Sequence, residues 1–309
     1  MRGIVYTARV TRIISLLNQK GGVGKTTTTV NLAAAIAAEK NSSGKFNKVL
    51  VIDLDPQTHL GLHFGIDESA TSGASVYDLL MDESVTAKDA IVKARKNIDL
   101  ITSEVDLAAA ESELASKTDR HDLLAKKLGP MLSLYEYILI DCPPSLGLLT
   151  LNALAASKEL IVPMQTHFLA LQGVSRLFET VQMLVGGINP ELGVTGIVLC
   201  MHEKNTKLAR EVVDDLQGFF DASRESDVPW KNCIIFDPPI RRNVKLAEAP
   251  SFGQTIFDYE PECAGARDYA KLAASVISVF ETKTVKVVVE APSLKSRDIA
   301  AADSLNEPI

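Results

Sequence analysis

A glycine-rich segment over residues 18–28, NQKGGVGKTTT, holds the side chains best suited to chemistry. An apolar run precedes it and a helical pattern follows it, which is the setting of a phosphate-binding loop. Its glycines let the backbone curl with N–H groups directed inward, and the N-terminus of the following helix adds donors for a polyanion. In this spacing, Lys25 reaches the β- and γ-phosphates of a nucleoside triphosphate, and Thr26 places its hydroxyl on Mg²⁺.

Aspartates follow two other apolar runs of strand length. The first run ends at Asp53 and continues to Asp55, and alternate residues of an extended chain point the same way. The second run ends at Asp141, as a Walker B strand does, where the carboxylate reaches Mg²⁺ through water. Such carboxylates hold the magnesium shell or orient an attacking water. The alternative interpretation is that Asp53 and Asp55 only cap a turn or a helix.

The elements that must position these residues alternate along the chain, which predicts a doubly wound α/β fold with a mostly parallel sheet flanked by helices. The predicted strands are Ile13–Leu17, Val49–Asp53, Ile98–Thr102, Tyr137–Asp141, Leu160–Pro163, Val194–Met201 and Cys233–Phe236. The predicted helices are Lys25–Glu39, Leu107–Leu128, Leu146–Ala156, Leu169–Val185, Lys207–Phe219 and Ala264–Phe280. We expect one domain over residues 1–283 and a flexible tail over 284–309, in which 284–290 is a candidate edge strand.

The phosphate loop departs from the general pattern G-x-x-x-x-G-K-[ST], because Gln19 stands at the first position and Lys20 follows it. This form, KGGVGKT, resembles the deviant Walker A motif of the ParA/MinD superfamily of P-loop ATPases. The resemblance covers about residues 12–280, and it implies that Lys20 crosses a dimer interface to the partner's nucleotide. A second cation beside a triphosphate neutralises charge that develops in phosphoryl transfer.

The resemblance also implies roles for individual residues. Asp55 matches the position that activates water, and together with Lys20 and Lys25 it forms the predicted catalytic set. The stretch RNVKLAEAPSFG, residues 242–253, resembles a family segment near the adenine, although Arg241 replaces the usual proline before it. The predicted ATP contacts are Lys20, Gly21, Gly22, Val23, Gly24, Lys25, Thr26, Thr27 and Asn243. The predicted Mg²⁺ residues are Thr26, Asp53 and Asp141.

Composition limits the remaining classes of function. A formal net charge of −7 argues against a protein coated in basic residues, although a local basic patch can oppose it. The four cysteines lack the spacings of metal or redox motifs, which favours buried thiols in a reducing compartment. His59 and His63 share a helix face, with metal binding as the alternative role. No apolar run has the length of a bilayer span and residues 1–17 do not read as a signal peptide, so we expect a cytoplasmic protein without a membrane partner.

Within this superfamily the chain resembles the ParA family, whose members bind DNA without sequence preference as ATP-bridged homodimers and whose hydrolysis a ParB-type centromere-binding partner stimulates. The resemblance therefore implies ATP and Mg²⁺ as cofactors, weak intrinsic ATPase activity and a nucleoid-associated partition function of the chromosomal type. The candidate DNA-binding residues are Lys204, Lys207, Arg210, Arg241, Arg242 and Lys245. The alternatives are a MinD-like positioning ATPase on a membrane or protein cargo, a metabolic phosphotransferase or ligase, and a scaffold that binds nucleotide without hydrolysing it.

Overall fold

The computed structural model describes residues 11–66, 73–167 and 170–282. In this part of the chain, eight strands form one sheet in the order β3-β4-β2-β5-β1-β6-β7-β8. The strands are β1 (Arg12–Leu16), β2 (Val49–Asp53), β3 (Ile91–Arg95), β4 (Ile98–Ile101), β5 (Tyr137–Asp141), β6 (Glu159–Met164), β7 (Gly193–Leu199) and β8 (Ile234–Ile235). Every neighbouring pair is parallel except β3 and β4, which pair in the antiparallel sense. The predicted fold class is confirmed.

Helices cover both faces of this sheet. They are α1 (Lys25–Ala38), α2 (His59–His63), α3 (Val76–Met81), α4 (Leu107–Leu114), α5 (Leu123–Leu128), α6 (Leu148–Ala156), α7 (Ala170–Gly187), α8 (Lys207–Ser223), α9 (Val244–Glu248), α10 (Ile256–Tyr259) and α11 (Ala264–Thr282). Short 3-10 helices occupy Gly129–Leu134 and Ala249–Phe252. The predicted tail over 284–309 and its edge strand lie outside the described residues.

Two sequence predictions are wrong in detail. The single helix predicted over residues 107–128 is two helices, α4 and α5. Asn152, which is fully buried on α6, accepts from the Leu124 amide at 3.2 Å and donates to the Arg120 carbonyl at 2.7 Å, so it stabilises the start of α5. Strand β3 has no counterpart among the predicted strands. It is a half-buried edge strand joined to β4 by a tight turn with Asn97 at φ 64°, so it lacks the apolar run that marks the inner strands.

Separate apolar cores lie on the two sheet faces, because alternate strand residues point to opposite sides. Ile14 and Val51 pack toward α1 and α11, whereas Ile13 and Ile52 pack toward α3 to α8. All four side chains are at most 7% exposed. Burial on both faces holds the strands rigidly in register, and this register positions the motifs at their ends.

The carboxyl ends of the three central strands meet at one edge. Asp53 of β2 stands beside Asp141 of β5 in the parallel register, and Leu16 of β1 stands on the other side of Asp141. The loop that follows β1 leads into α1. The predicted nucleotide motifs therefore meet where open α/β sheets bind their ligands. Of the described helices, none is both long enough and apolar enough to cross a membrane.

Candidate nucleotide-binding site

The loop between β1 and α1 has the backbone shape of a phosphate cradle. Gly22 at φ 70° and Gly24 at φ 98° adopt left-handed conformations that other residues rarely accept. A Cβ on Gly24 would lie 3.4 Å from the Cβ of Cys200, so the residue that follows β7 lies close against the loop. Lys25 is the first residue of α1 and is 7% exposed. The cradle thus joins a free helix N-terminus to a buried cation, as a bound polyphosphate requires.

A cleft of about 760 Å³ opens above this loop, within the range of small-molecule sites. It brings together the phosphate loop, the segment after β2, helix α2 and the segment after β5. The predicted site residues among its lining are Gly21, Gly22, Gly24, Lys25, Thr26, Thr27 and Asp55. Pro143, Pro144 and Ser145 form the wall that follows β5. The three sequence motifs therefore share one cleft.

Two buried carboxylates, Asp53 and Asp141, stand side by side at the strand ends, and Thr26 links Asp141 to the cleft. Asp141 accepts from the hydroxyl of Thr26 at 2.6 Å and from that of Thr29 at 2.9 Å. Burial raises the pKa of Asp141 to about 6, against the lowering effect of the two hydroxyls and of Lys25. Asp53 is fully buried, and burial together with the Asp141 charge raises its pKa well above the usual range. Ionising both carboxyls is costly, so a cation at this place would stabilise the pair.

These residues fit Mg²⁺. Among the described residues, no group of three or more His, Cys, Asp or Glu side chains is arranged to hold a metal ion alone. Magnesium in phosphate sites typically takes one or two protein oxygens and completes its shell with phosphate and water. The paired oxygens of Thr26 and Asp141 supply such a set. Asp53 accepts instead from the amides of Asp55 at 2.9 Å and Leu60 at 3.2 Å, so its oxygens are turned toward the backbone.

Asp55 lines the cleft opposite the phosphate loop and is half-buried. Its carboxylate accepts from the Gln57 amide at 3.0 Å, and Thr58 at φ 56° turns the chain into α2. Asp53 at the end of β2 and Asp55 after it therefore do stabilise a turn, as the alternative interpretation held. Asp55 nevertheless lines the cleft, so a role in orienting a water remains open to it.

The remaining predicted ATP residues lie outside the cleft lining. Val23 is 1% exposed and packs into the core. Lys20 is exposed, and its Nζ lies 2.7 Å from Nε2 of His167, whose pKa is lowered by burial and by the lysine charge. Asn243 caps α9, where its side chain accepts from the Lys245 amide at 2.9 Å. In this structure Lys20 and Asn243 are held by protein partners.

Sequence reasoning missed Thr29 and the cleft position of two histidines. Thr29 lies three residues after Thr26 and therefore on the same helix face. That spacing could have indicated that both hydroxyls reach the same carboxylate. His59 and His63 both line the cleft, and burial together with the neighbouring His59 lowers the pKa of His63 to about 4. The pattern of apolar residues in the sequence does not indicate that α2 lies against the cleft. The cysteines Cys142, Cys200 and Cys233 are buried, Cys263 is half-buried, and all four are free.

Most of the candidate DNA-binding residues pair with carboxylates. The shortest N–O distances are 2.7 Å for Arg241 with Asp268, 3.0 Å for Arg242 with Glu203, 2.9 Å for Lys245 with Glu248 and 3.4 Å for Lys207 with Glu211. Lys204 and Arg210 are exposed and form no ion pair within the described part of the chain. Four of the six candidates therefore have a carboxylate partner that compensates part of their charge, whereas the charges of Lys204 and Arg210 are not compensated in this way.

Comparison with known proteins places this site in a family. A family model described as an AAA domain matches residues 11–194. The chromosome-partitioning ATPase Soj of Treponema pallidum is 39% identical over 267 residues, covering 86% of this chain and 97% of the relative. The sporulation initiation inhibitor protein Soj of Bacillus subtilis is 40% identical over 267 residues, covering 86% and 98%.

A solved structure is similar over nearly the whole chain. Cobyrinic acid a,c-diamide synthase from Mycobacterium smegmatis, with bound ATP analog and magnesium, has a TM-score of 0.71 at 29% identity. The match covers 91% of this chain and 100% of that one. Because two curated relatives near 40% identity are matched over almost their full length, and the nucleotide motifs share one cleft, the chain belongs to the ParA/Soj family of partition ATPases.

Proposed function

We propose that this protein is a DNA-partition ATPase whose position on DNA is governed by its nucleotide state. The observation that carries the proposal is the cleft that the phosphate loop and Asp55 line together, with Thr26 of the loop hydrogen-bonded to the buried Asp141. The chromosome-partitioning names of the relatives supply the biological context. Nucleoid association and one catalytic domain over residues 1–283 belong to the same proposal.

The residues of the cleft divide the chemistry among them. The loop amides and Lys25 bind the phosphates, and Thr26 with Asp141 holds Mg²⁺, with Asp53 supporting Asp141 from behind. When bound, Mg²⁺ neutralises charge on the transferring phosphoryl group. Asp55 orients the attacking water from the opposite wall. Asp55 is fixed by its own turn, so hydrolysis requires the segment that carries it to approach the nucleotide. Because that approach limits the rate of hydrolysis, weak intrinsic ATPase activity is the expected result.

ATP acts in this proposal as the bridge of a homodimer. Lys20 is exposed beside the phosphate loop, and it would leave His167 to contact a nucleotide that the partner subunit holds. The Lys20→Ala variant is expected to bind ATP and to remain monomeric, since the loop glycines and Lys25 are unchanged. Sedimentation with a slowly hydrolysed ATP analog measures this, and a dimer of normal affinity would refute the role of Lys20 in the partner's site.

The test of the whole proposal is DNA binding by the purified protein with ATP, with ADP and without nucleotide, across a salt series. Binding only with ATP, lost as salt rises, is expected, because phosphate contacts release counterions. Stimulation of hydrolysis by a ParB-type protein tests the partner. Binding that ignores the nucleotide, or no binding at any salt, would contradict the proposal. Recovery with liposomes instead would favour the MinD-like alternative.

The 29% identical structure named as a cobyrinic acid a,c-diamide synthase favours a second candidate, an ATP-dependent amide-forming enzyme. That activity requires a site for an acid substrate beside the phosphates. The residues that line the cleft beyond the phosphate loop include His59 and His63. ATP turnover that rises at least tenfold on addition of the acid and an amide donor would favour this candidate. Turnover that responds to DNA and a ParB-type protein would exclude it.

A further inference from the structure

Arg95, the last residue of β3, connects two segments that are distant in the chain. Its Nη1 donates to the carbonyl of Phe64 at 2.8 Å, and its Nη2 donates to the carbonyl of Gly253 at 2.7 Å. Its Nε pairs with Asp258 at 3.2 Å. A guanidinium is planar and carries its donors in a fixed fork, so both carbonyls are held in one geometry. We call these four residues, Phe64, Arg95, Gly253 and Asp258, the arginine junction.

The two backbones that meet at the arginine junction contact each other directly. Gly65 and Gly253 both have a positive φ, of 64° and 61°. A Cβ on Gly253 would lie 2.5 Å from the Cα of Gly65, and a Cβ on Gly65 would lie 2.9 Å from the carbonyl oxygen of Gly253. Because neither position has room for a side chain, the segment that follows α2 and the segment that follows the 3-10 helix Ala249–Phe252 pack closely against each other.

On one side, the arginine junction holds the end of α2. Phe64 follows α2 directly and is 1% exposed, and the Cζ of Arg95 lies 6.0 Å from the centroid of its ring. At the other end of α2, the amide of Thr58 donates to the carbonyl of Asp55 at 3.0 Å. The five residues of α2 span about 7.5 Å at 1.5 Å per residue. A shift at the end of so short a helix therefore also moves the segment that carries Asp55.

On the other side, the arginine junction is fixed to the helix that begins at the phosphate loop. The amide of Ile256 donates to Oδ1 of Asn31 at 2.8 Å, and Asn31 lies on α1 and is 3% exposed. Nδ2 of Asn31 donates in turn to the carbonyl of Thr27 at 2.8 Å, and Thr27 lines the nucleotide cleft. Residues 253–258 are therefore anchored to the start of α1, where the phosphates bind in the proposed function.

We propose that Arg95 is a positioning residue for ATP hydrolysis. It ties α2 to the segment anchored on α1, and it thereby sets where Asp55 lies relative to the bound phosphates. This inference rests on the proposed ATPase function and on the water-orienting role of Asp55, and it adds a residue that lies outside the lining of the cleft. Catalysis depends on the geometry of the attacking atom, so a misplacement of about 1 Å can cost about 100-fold in rate.

Positioning by Arg95 can be distinguished from stabilisation of the fold alone. A contact that only stabilises the fold lowers the free energy of unfolding and leaves the turnover of the folded protein unchanged. A positioning residue lowers kcat while the affinity for ATP is kept, because the phosphate loop and Lys25 are untouched. The ratio between the change in kcat and the change in ATP affinity therefore separates the two roles.

The test compares Arg95→Gln with Arg12→Gln in the full chain. Arg12 is the matched control, because it is also half-buried, donates to the carbonyl of Phe280 at 3.2 Å and pairs with Glu159 at 3.2 Å. It lies at the start of β1, whereas the phosphate loop follows the end of that strand. Affinity for a slowly hydrolysed ATP analog, kcat at saturating ATP and urea unfolding are measured. Arg95→Gln is expected to lose about tenfold or more in kcat with the affinity within about twofold, and Arg12→Gln to keep both within about twofold.

Two further variants test the geometry of the arginine junction. Arg95→Lys keeps the positive charge beside Asp258 but lacks the fork that bridges two carbonyls, so it is expected to lose as much kcat as Arg95→Gln. Gly65→Ala keeps Arg95 and pushes the end of α2 away from Gly253, so kcat should fall while ATP affinity is kept. Gly44→Ala is its control, because Gly44 also has a positive φ and a Cβ there would meet nothing within 4 Å.

The outcomes separate this inference from the proposed function. An unchanged kcat in folded Arg95→Gln, a loss of activity explained by weaker ATP binding, or full activity in Arg95→Lys would overturn the inference alone. If Arg95→Gln does not fold, the comparison of Gly65→Ala with Gly44→Ala decides, and equal kcat values in those two variants would overturn the inference. Wild-type protein that binds ATP without hydrolysing it would overturn the proposed ATPase function, and this inference with it.

Discussion

Replacement of Thr29 by valine removes one hydroxyl from beneath the nucleotide site and leaves the side-chain shape almost unchanged. Thr29 is fully buried, with Oγ1 at 2.9 Å from Asp141 Oδ1 and at 3.1 Å from the Lys25 carbonyl oxygen. One hydroxyl hydrogen serves one acceptor, and a carboxylate is the stronger one. In the variant, Asp141 keeps the Thr26 hydroxyl and loses its other threonine donor.

The expected cost is that of a hydrogen bond to a buried charged group, about 1.5–3 kcal/mol of unfolding free energy near neutral pH. Because the bond stabilises the ionised carboxylate, its loss raises the pKa of Asp141 above the present value of about 6. The cost therefore shrinks near pH 5, where the carboxyl is protonated in both proteins. A partner that orients a metal ligand also affects the metal, so Mg²⁺ affinity with ATP should fall by about 10- to 100-fold.

Urea unfolding at two pH values and a Mg²⁺ titration in the presence of ATP measure these effects. Thr28→Val is the matched control, because Thr28 is equally buried but its hydroxyl lies 3.1 Å from the Tyr269 hydroxyl. That variant should lose about 0.5–1.5 kcal/mol with no effect on Mg²⁺. Thr29→Ser should restore the magnesium affinity. If Thr29→Val and Thr28→Val share the same pH and Mg²⁺ dependence, the reasoning is refuted.

Three other outcomes follow from the structure. Burial raises the pKa of Asp141 to about 6. The difference in unfolding free energy between wild-type protein and Asp141→Asn should therefore favour wild type most below about pH 4 and decline by about 3 kcal/mol as pH rises through 6. Mg²⁺ with ATP should make that decline smaller. Gly65→Ala should lower the unfolding free energy by more than Gly44→Ala does. Both glycines have a positive φ, but a Cβ on Gly65 would lie 2.9 Å from the carbonyl oxygen of Gly253, whereas a Cβ on Gly44 would meet nothing within 4 Å. Equal losses in the two variants would contradict this reasoning. Burial raises the pKa of the Cys142 thiol, so iodoacetamide should modify half-buried Cys263 first in native protein, and early labelling of Cys142 would show that the segment after β5 opens.

Sequence patterns predicted the inner sheet well because those strands are buried on both faces. Val49–Asp53 and Tyr137–Asp141 read as unbroken apolar runs, and both strands have the predicted bounds. Strand β3 was missed because an edge strand is apolar on one side only. The break between α4 and α5 was missed because its stabilising partner, Asn152, lies on α6 and carries no local signal.

The sequence by itself predicted where the nucleotide site lies. A phosphate cradle requires features that are local in the sequence, so they can be recognised without knowledge of the surrounding fold. These features are the spacing of the glycines, the lysine and threonine that follow them, and the aspartates at strand ends. These residues carry the resemblance to the ParA/MinD superfamily, and the alternation of strands and helices predicted the fold class.

Only the tertiary structure decided which charges are free and which are neutralised. Arg241 meets Asp268 across 27 residues of chain, and Lys96 meets Phe46 across a sheet edge, so neither pairing can be inferred from local spacing. The same holds for the side-by-side burial of Asp53 and Asp141, which raises the pKa of both carboxyls. Electrostatic interactions depend on distance and burial in three dimensions, whereas a linear pattern reports only order along the chain.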